Sequence, residues 1–133
     1  MPTSTDGLGR LPRMIRVLLS VPTSDRHERM GFDQYHEPPE ELSQKARTFA
    51  RMIASLTEEA EAIGWYEQRL SVEKDRQAAA IMKNAQHEEM KHFGMDLEFL
   101  LRQKPQWRKT LRGILFKSGD IVERGDEAEE ESE

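Results

Sequence analysis

The chain has 133 residues, of which 36% are hydrophobic and 34% charged, and its formal net charge is -5. This length fits one domain. The composition predicts a helical protein that has either a modest core with a large solvated surface or a core that is completed by oligomerisation. The absence of cysteine excludes disulfides and thiolate metal sites. The sequence also lacks the basic stripe with interleaved aromatic residues that would indicate a nucleic-acid partner.

Residues 1–37 contain several prolines and glycines and predict an irregular arm. The longest apolar run in this arm, at residues 17–19, is too short for the core of a signal peptide or for a membrane span. We therefore expect a cytoplasmic protein that has no membrane partner.

A long first helix is predicted from Glu40 to Leu70, because two prolines followed by two glutamates are typical of a helix start. One row of this helix advances by alternating steps of three and four residues, which indicates packing against another helix. We call this row the seam. It contains Met52, Leu56, Glu59, Ile63, Tyr66 and Leu70.

A second helix is predicted from Val72 to Lys104, after a short polar link that favours an antiparallel pair. A third, shorter helix is predicted at residues 105–117. Residues 119–133 are strongly acidic and are predicted to be disordered. The seam of the second helix contains Ala78, Met82, Ala85, Glu89 and His92.

The chemistry of the chain is concentrated at three seam positions, Glu59, Glu89 and His92. Seam positions normally hold apolar residues, because a buried unpaired charge is costly. A metal cation is the simplest partner for two carboxylates and an imidazole, and without cysteine the ligand set suits iron or manganese. In helical bundles with a di-iron site, two such Glu-x-x-His motifs and two further glutamates surround the metals.

This chain contains one half of that ligand set, so the pattern predicts a site shared between two chains of a symmetric dimer. Two alternatives stay open. Glu59 could instead pair with Arg51 or Arg69, and the polar seam residues could fix the register of a structural coiled-coil adaptor. A di-iron or di-manganese peroxidase on the same scaffold is a further alternative.

Three further side chains lie close to these positions in the sequence. Tyr66 follows Glu59 on the same seam and could hydrogen-bond a ligand or pack with its hydroxyl at the edge. Glu58 and Glu61 flank Glu59 off the seam, where they could relay cations to the site or form part of a solvated helix surface.

Three stretches of the sequence resemble the encapsulated ferritins, and together the resemblance extends from about Tyr35 to Phe116. The most specific feature is the combination of a Glu-Glu-x-Glu run that precedes a Trp-Tyr pair with a Glu-Glu-x-x-His motif. The stretches are YHEPPEEL at 35–42, EEAEAIGWYEQR at 58–69 and HEEMKH at 87–92.

This resemblance implies an all-α fold, a ferritin-like antiparallel two-helix hairpin with a short C-terminal helix that completes four-helix bundles by dimerisation. It implies a ferroxidase that oxidises Fe(II) at a dinuclear iron site between two subunits, in a ring of dimers such as an annular decamer. Such proteins serve iron storage and detoxification inside an encapsulin nanocompartment. By motif position, Glu59, Glu89 and His92 match the iron ligands, Tyr66 a neighbouring tyrosine, and Glu58 and Glu61 an outer metal-entry site.

The resemblance divides the chain into an N-terminal arm (1–37), a ferritin-like helical domain (38–118) and an acidic tail (119–133). Family members usually carry a C-terminal peptide that targets them to the shell, and the acidic tail of this chain does not match one. Residues 6–11, DGLGRL, resemble such a peptide displaced to the other end of the chain, and a shell-targeting segment is one interpretation of them. A flexible arm and an amphipathic helix packed on the ring are the alternatives.

Overall fold

The computed structural model describes residues 34–133, which form one compact unit, Gln34–Glu133. These residues contain a 3₁₀ turn, Pro39–Glu41, and four α-helices. We number the helices α1 (Gln44–Val72), α2 (Arg76–Gln103), α3 (Pro105–Ile114) and α4 (Ile121–Ser132). No strand occurs between residues 34 and 133, and the predicted all-α fold is confirmed. Residues 1–33 of the N-terminal arm, including the predicted targeting segment 6–11, lie outside the described residues.

The first long helix begins later than predicted. The two prolines initiate only the 3₁₀ turn, and Leu42 is then extended. Ser43 caps α1 by accepting a hydrogen bond from the Ala46 N–H at 3.1 Å. A capping hydroxyl satisfies one of the free N–H groups of the first turn, and this local bond sets the start of the helix.

The link between α1 and α2 consists of residues 73–75. Glu73 Oε1 accepts a hydrogen bond from the Asp75 N–H at 2.8 Å, and Asp75 Oδ1 accepts one from the Ala78 N–H at 2.8 Å. The second of these bonds caps α2. Both carboxylates bind backbone N–H groups of the turn and thereby fix the conformation of this short link. The two long helices form an antiparallel hairpin, as predicted.

At the far end of α2 the chain turns sharply at Pro105, whose ring disfavours a helical conformation at Lys104. The short helix α3 folds back there, and Leu100 and Leu101 are buried. Glu98 accepts hydrogen bonds from Arg102 within α2 and from Arg108 of α3, at 3.1 and 3.0 Å. This carboxylate therefore ties α2 to α3.

The structure contradicts the prediction that residues 119–133 are disordered, because α4 occupies most of this tail. Asp120 caps the helix through the Glu123 N–H, and Ala128 is buried against Gly113 of α3. Lys109 of α3 donates a hydrogen bond to the Glu131 carbonyl. The prediction of disorder was based on the acidic charges of the tail. It did not include the cap and the small-residue contact that anchor α4.

The long hairpin buries little by itself. No residue of α1 is buried, and in α2 only Gln86, Leu100 and Leu101 are. Large apolar side chains such as Trp65, Ile81 and Met95 are more than half exposed. Within residues 34–133, no helix has the length and apolar character that a membrane crossing requires.

Candidate metal centre

Glu59 of α1 and Glu89 and His92 of α2 come together where the two long helices face each other. One potential ligand atom from each residue lies within 4.8 Å of the other two. Ligand atoms of one ion lie at most about 4 Å apart, since each metal–ligand bond is about 2 Å long. The three side chains thus lie close enough for small side-chain rotations to bring them onto one metal ion.

The antiparallel register creates this meeting. Gln86, one turn before Glu89, is buried and donates hydrogen bonds to the Ile63 carbonyl at 3.2 Å and to Glu67 Oε2 at 2.8 Å. A buried amide with satisfied partners is strongly held in place. Gln86 therefore fixes α2 against α1 about one turn from the candidate ligands.

The Glu-x-x-His pair presents both groups on one face of α2, as its spacing predicts. His92 Nδ1 lies 3.6 Å from Glu89 Oε2, which is too long for a direct hydrogen bond. The side chain of Glu89 is 26% exposed and that of His92 is 45% exposed. The ligand set is therefore open to the surroundings of the hairpin rather than enclosed within it.

The surroundings of Glu59 disfavour its negative charge. Its pKa is raised from 4.5 to about 7, first because the protonated carboxyl donates a hydrogen bond to Glu89. Partial burial and the negative charges of Glu89 and Asp96 raise the pKa further, whereas His92 lowers it. Two carboxyl groups at this distance cannot easily both ionise without a cation between them.

Within residues 34–133, Glu59 does not form the ion pair with arginine that stayed open as an alternative. Among residues 34–133, no arginine or lysine lies within ion-pair distance of this carboxylate. Arg69 instead lies over the Tyr66 ring, 5.3 Å from its centroid, and Arg51 is exposed. The pairing of Glu59 with Arg51 or Arg69 is therefore not what the structure contains.

The other residues singled out in the sequence lie on α1, the helix that carries Glu59. Tyr66 is half-buried on the seam of α1 beneath Arg69. Glu58 and Glu61 are exposed on α1. These two glutamates occupy a solvated helix surface next to Glu59, a position compatible with either of their interpretations.

Two residues near the centre were not identified from the sequence. Gln86 looks like an ordinary surface residue in the sequence, because only the facing helix reveals its hydrogen bonds. Asp96 lies four residues after His92 and continues the seam, so the alternating steps of three and four residues could have revealed it. Its Oδ2 atom is buried and has no hydrogen-bond partner.

The donor set fits iron. Carboxylate oxygens are hard ligands, imidazole nitrogen suits first-row transition metals, and the set matches the helical half of a di-iron carboxylate site. The pKa of Glu59 is raised and an oxygen of Asp96 has no partner, and both observations indicate that a compensating positive charge is missing near these carboxylates. A cation bound between these groups would relieve both.

The fold and the candidate centre together indicate a ferritin-like helical protein with a group of two carboxylates and an imidazole that could hold a metal ion. The sequence matches the EncFtn-like family over residues 34–118, and the chain belongs to this family. The predicted identity as an encapsulated ferritin and the predicted ferritin-like fold are thereby confirmed, and the family connects the chain to iron.

Individual relatives agree with this assignment. A "Ferritin-like protein" of Thermotoga maritima is 45% identical over 101 residues, which cover 76% of this chain and 89% of the relative. An "Encapsulated ferritin-like protein" of Rhodospirillum rubrum is 39% identical over 99 residues, which cover 73% of this chain and 71% of the relative. Among solved structures, protein ne0167 of Nitrosomonas europaea is 40% identical with a TM-score of 0.65, covering 68% of this chain and 99% of its own.

Proposed function

We propose that this protein is a ferroxidase, which oxidises Fe(II) to Fe(III) at a dinuclear site shared between two subunits. The observation that carries the proposal is the meeting of Glu59, Glu89 and His92 within 4.8 Å on facing helices. Family membership supports iron as the metal.

The sharing between subunits follows from what one chain provides. Two helices supply three ligands, whereas a dinuclear site in a four-helix bundle takes six such residues from four helices. The open ligand set and the sparsely buried hairpin both leave a face for a second copy. A twofold axis through this face would bring the two half-sites together and bury the seams.

In this proposal iron is the substrate of the reaction. Two Fe(II) ions lose one electron each, and dioxygen accepts both electrons with two protons to give hydrogen peroxide. Glu59, Glu89 and His92 hold the ions and orient them. Glu59 releases its proton when iron binds, because the cation replaces the shared hydrogen bond with Glu89.

The neighbouring residues receive supporting roles. Glu58 and Glu61 stand exposed beside Glu59 and would attract Fe(II) towards the centre. Tyr66, on the same seam, would border the site and hydrogen-bond a ligand. Neither the attraction of Fe(II) by Glu58 and Glu61 nor the hydrogen bond of Tyr66 requires the two long helices to move.

The proposed setting is an encapsulin nanocompartment in the cytoplasm, where the oxidised iron is stored and detoxified. The name of the Rhodospirillum rubrum relative, an encapsulated ferritin-like protein, supports a shell partner. The proposed assembly is a ring of dimers, the annular decamer that the family resemblance implies. The N-terminal residues 6–11 remain the proposed targeting segment.

Replacement of one ligand tests the activity. Glu59→Ala is expected to lower the initial rate of Fe(II) oxidation by more than about a hundredfold, since loss of supporting groups alone costs ten- to hundredfold. The measurement is the rise of ferric absorbance after aerobic addition of Fe(II), with helicity checked by circular dichroism. The control is Glu130→Ala, which removes an exposed carboxylate of α4. An unchanged rate in Glu59→Ala would favour the structural coiled-coil adaptor instead.

A further inference from the structure

Asp96 extends the row of ionisable groups on α2 beyond the proposed ligands. It follows Glu89 by seven residues and His92 by four, so the three side chains share one face of the helix. Asp96 is half-buried, and the surface of its Oδ2 atom is closed to solvent. The face that carries the metal centre therefore continues one turn further as an acidic face.

The Oδ2 atom of Asp96 has no hydrogen-bond partner among residues 34–133. A buried carboxylate oxygen without a donor is costly, and structures rarely keep one without a reason. No donor of the described residues satisfies this oxygen, and a bound cation is a partner that would.

We propose that Asp96 is a further carboxylate of the metal centre, which acts on bound iron through its charge and favours the trivalent ion over the divalent one. The proposal rests on the proposed function. Glu59 and Glu89 from two chains carry four negative charges, equal to the charge of two Fe(II) ions. The two Asp96 carboxylates raise the total to six, equal to the charge of two Fe(III) ions. Asp96 thereby stabilises the product of the oxidation more than its substrate.

Two redox-inert probes separate this charge effect from a structural role. Metal-free wild-type protein and Asp96→Asn are titrated with Mn²⁺ and with Tb³⁺, and the dissociation constants are compared. Removal of a supporting carboxylate is expected to weaken Mn²⁺ binding by roughly tenfold. Since the Coulomb energy scales with the charge of the ion, the loss for Tb³⁺ is expected to be roughly thirtyfold.

A second readout does not depend on metal. Asp96→Asn keeps the shape of the side chain and removes a repulsive charge, so the metal-free variant is expected to melt at a higher temperature than wild type. A residue with a structural role would lower the melting temperature when replaced. Asp96→Glu retains the charge and is expected to retain the preference for Tb³⁺. Asp126→Asn, an exposed position of α4, is the matched control and is expected to change neither readout.

Equal losses for the two ions, or a lower melting temperature of metal-free Asp96→Asn, would overturn the proposal. Glu59→Gln distinguishes this failure from failure of the proposed function. If Glu59→Gln loses both ions while Asp96→Asn binds both like wild type, the role of Asp96 is wrong and the metal centre stands. If Glu59→Gln also binds both ions like wild type, the metal centre itself is wrong.

Discussion

Glu59 lies in surroundings that disfavour its negative charge. It lies opposite Glu89 and within the field of Asp96, and among residues 34–133 His92 is the group that lowers its pKa. A protein without a ligand at this place would be expected to hold an apolar residue, because like charges in a half-buried seam oppose folding. The metal-free chain thus keeps a local electrostatic cost that metal binding can remove.

This cost gives the metal-free protein a specific pH dependence. The pKa of Glu59 in the folded chain, about 7, lies above its usual 4.5, so folding favours the protonated carboxyl. Its contribution to stability is complete below pH 4.5 and is lost as the pH rises through 7. We expect the melting temperature of metal-free wild type to fall between pH 5 and pH 8 by more than that of Glu59→Gln. Identical pH profiles of the two proteins, measured by thermal circular dichroism, would contradict this assignment.

At the scale of the helices, short-range contacts decide where each element begins, turns and packs. Ser43, Asp75 and Asp120 each cap a helix through a backbone N–H three residues later. Gly113 lets α4 approach α3, because a Cβ added at this glycine would lie 2.5 Å from the Ala128 Cβ. The acidic helix α4 is therefore held on α3 by this close approach together with the hydrogen bond from Lys109 to the Glu131 carbonyl.

This contact can be tested with a pair of glycine substitutions. Gly113→Ala is expected to displace α4, with a loss of about 1–3 kcal/mol of packing energy. Gly125→Ala, on α4, meets no atom within 4 Å and should stabilise the helix by about 0.5–1 kcal/mol. Hydrogen exchange of the amides of α4 should become faster in the first variant and slower in the second. Equal protection in both variants would show that α4 does not depend on this contact.

The elements that sequence reasoning recovered are those with a periodic signal. The alternating steps of three and four residues gave the two long helices and placed Glu59, Glu89 and His92 on facing seams. Features that depend on a partner elsewhere in the chain were missed. Gln86 acquires its role only when Ile63 and Glu67 face it, and the tail forms a helix because Gly113 admits Ala128. The sequence pattern predicts which face of a helix is buried, whereas tertiary contacts decide which residues pack against that face.

At the scale of the described unit, residues 34–133 form a hairpin with a small extension, and in the proposed function the metal centre is incomplete in a single copy. The long helices of this unit bury few residues, and the side chains of Glu89 and His92 are partly exposed. Burial of apolar seams and completion of the metal shells would then occur in one step, so metal binding and association should be thermodynamically coupled.

The mass of the protein with and without Fe(II) tests this coupling most directly. Native mass spectrometry under anaerobic conditions gives both the number of chains and the number of bound iron ions. We predict that Fe(II) shifts the protein to assemblies with an even number of chains, with two iron ions for each pair. A single chain that retains iron while remaining monomeric would contradict the shared centre.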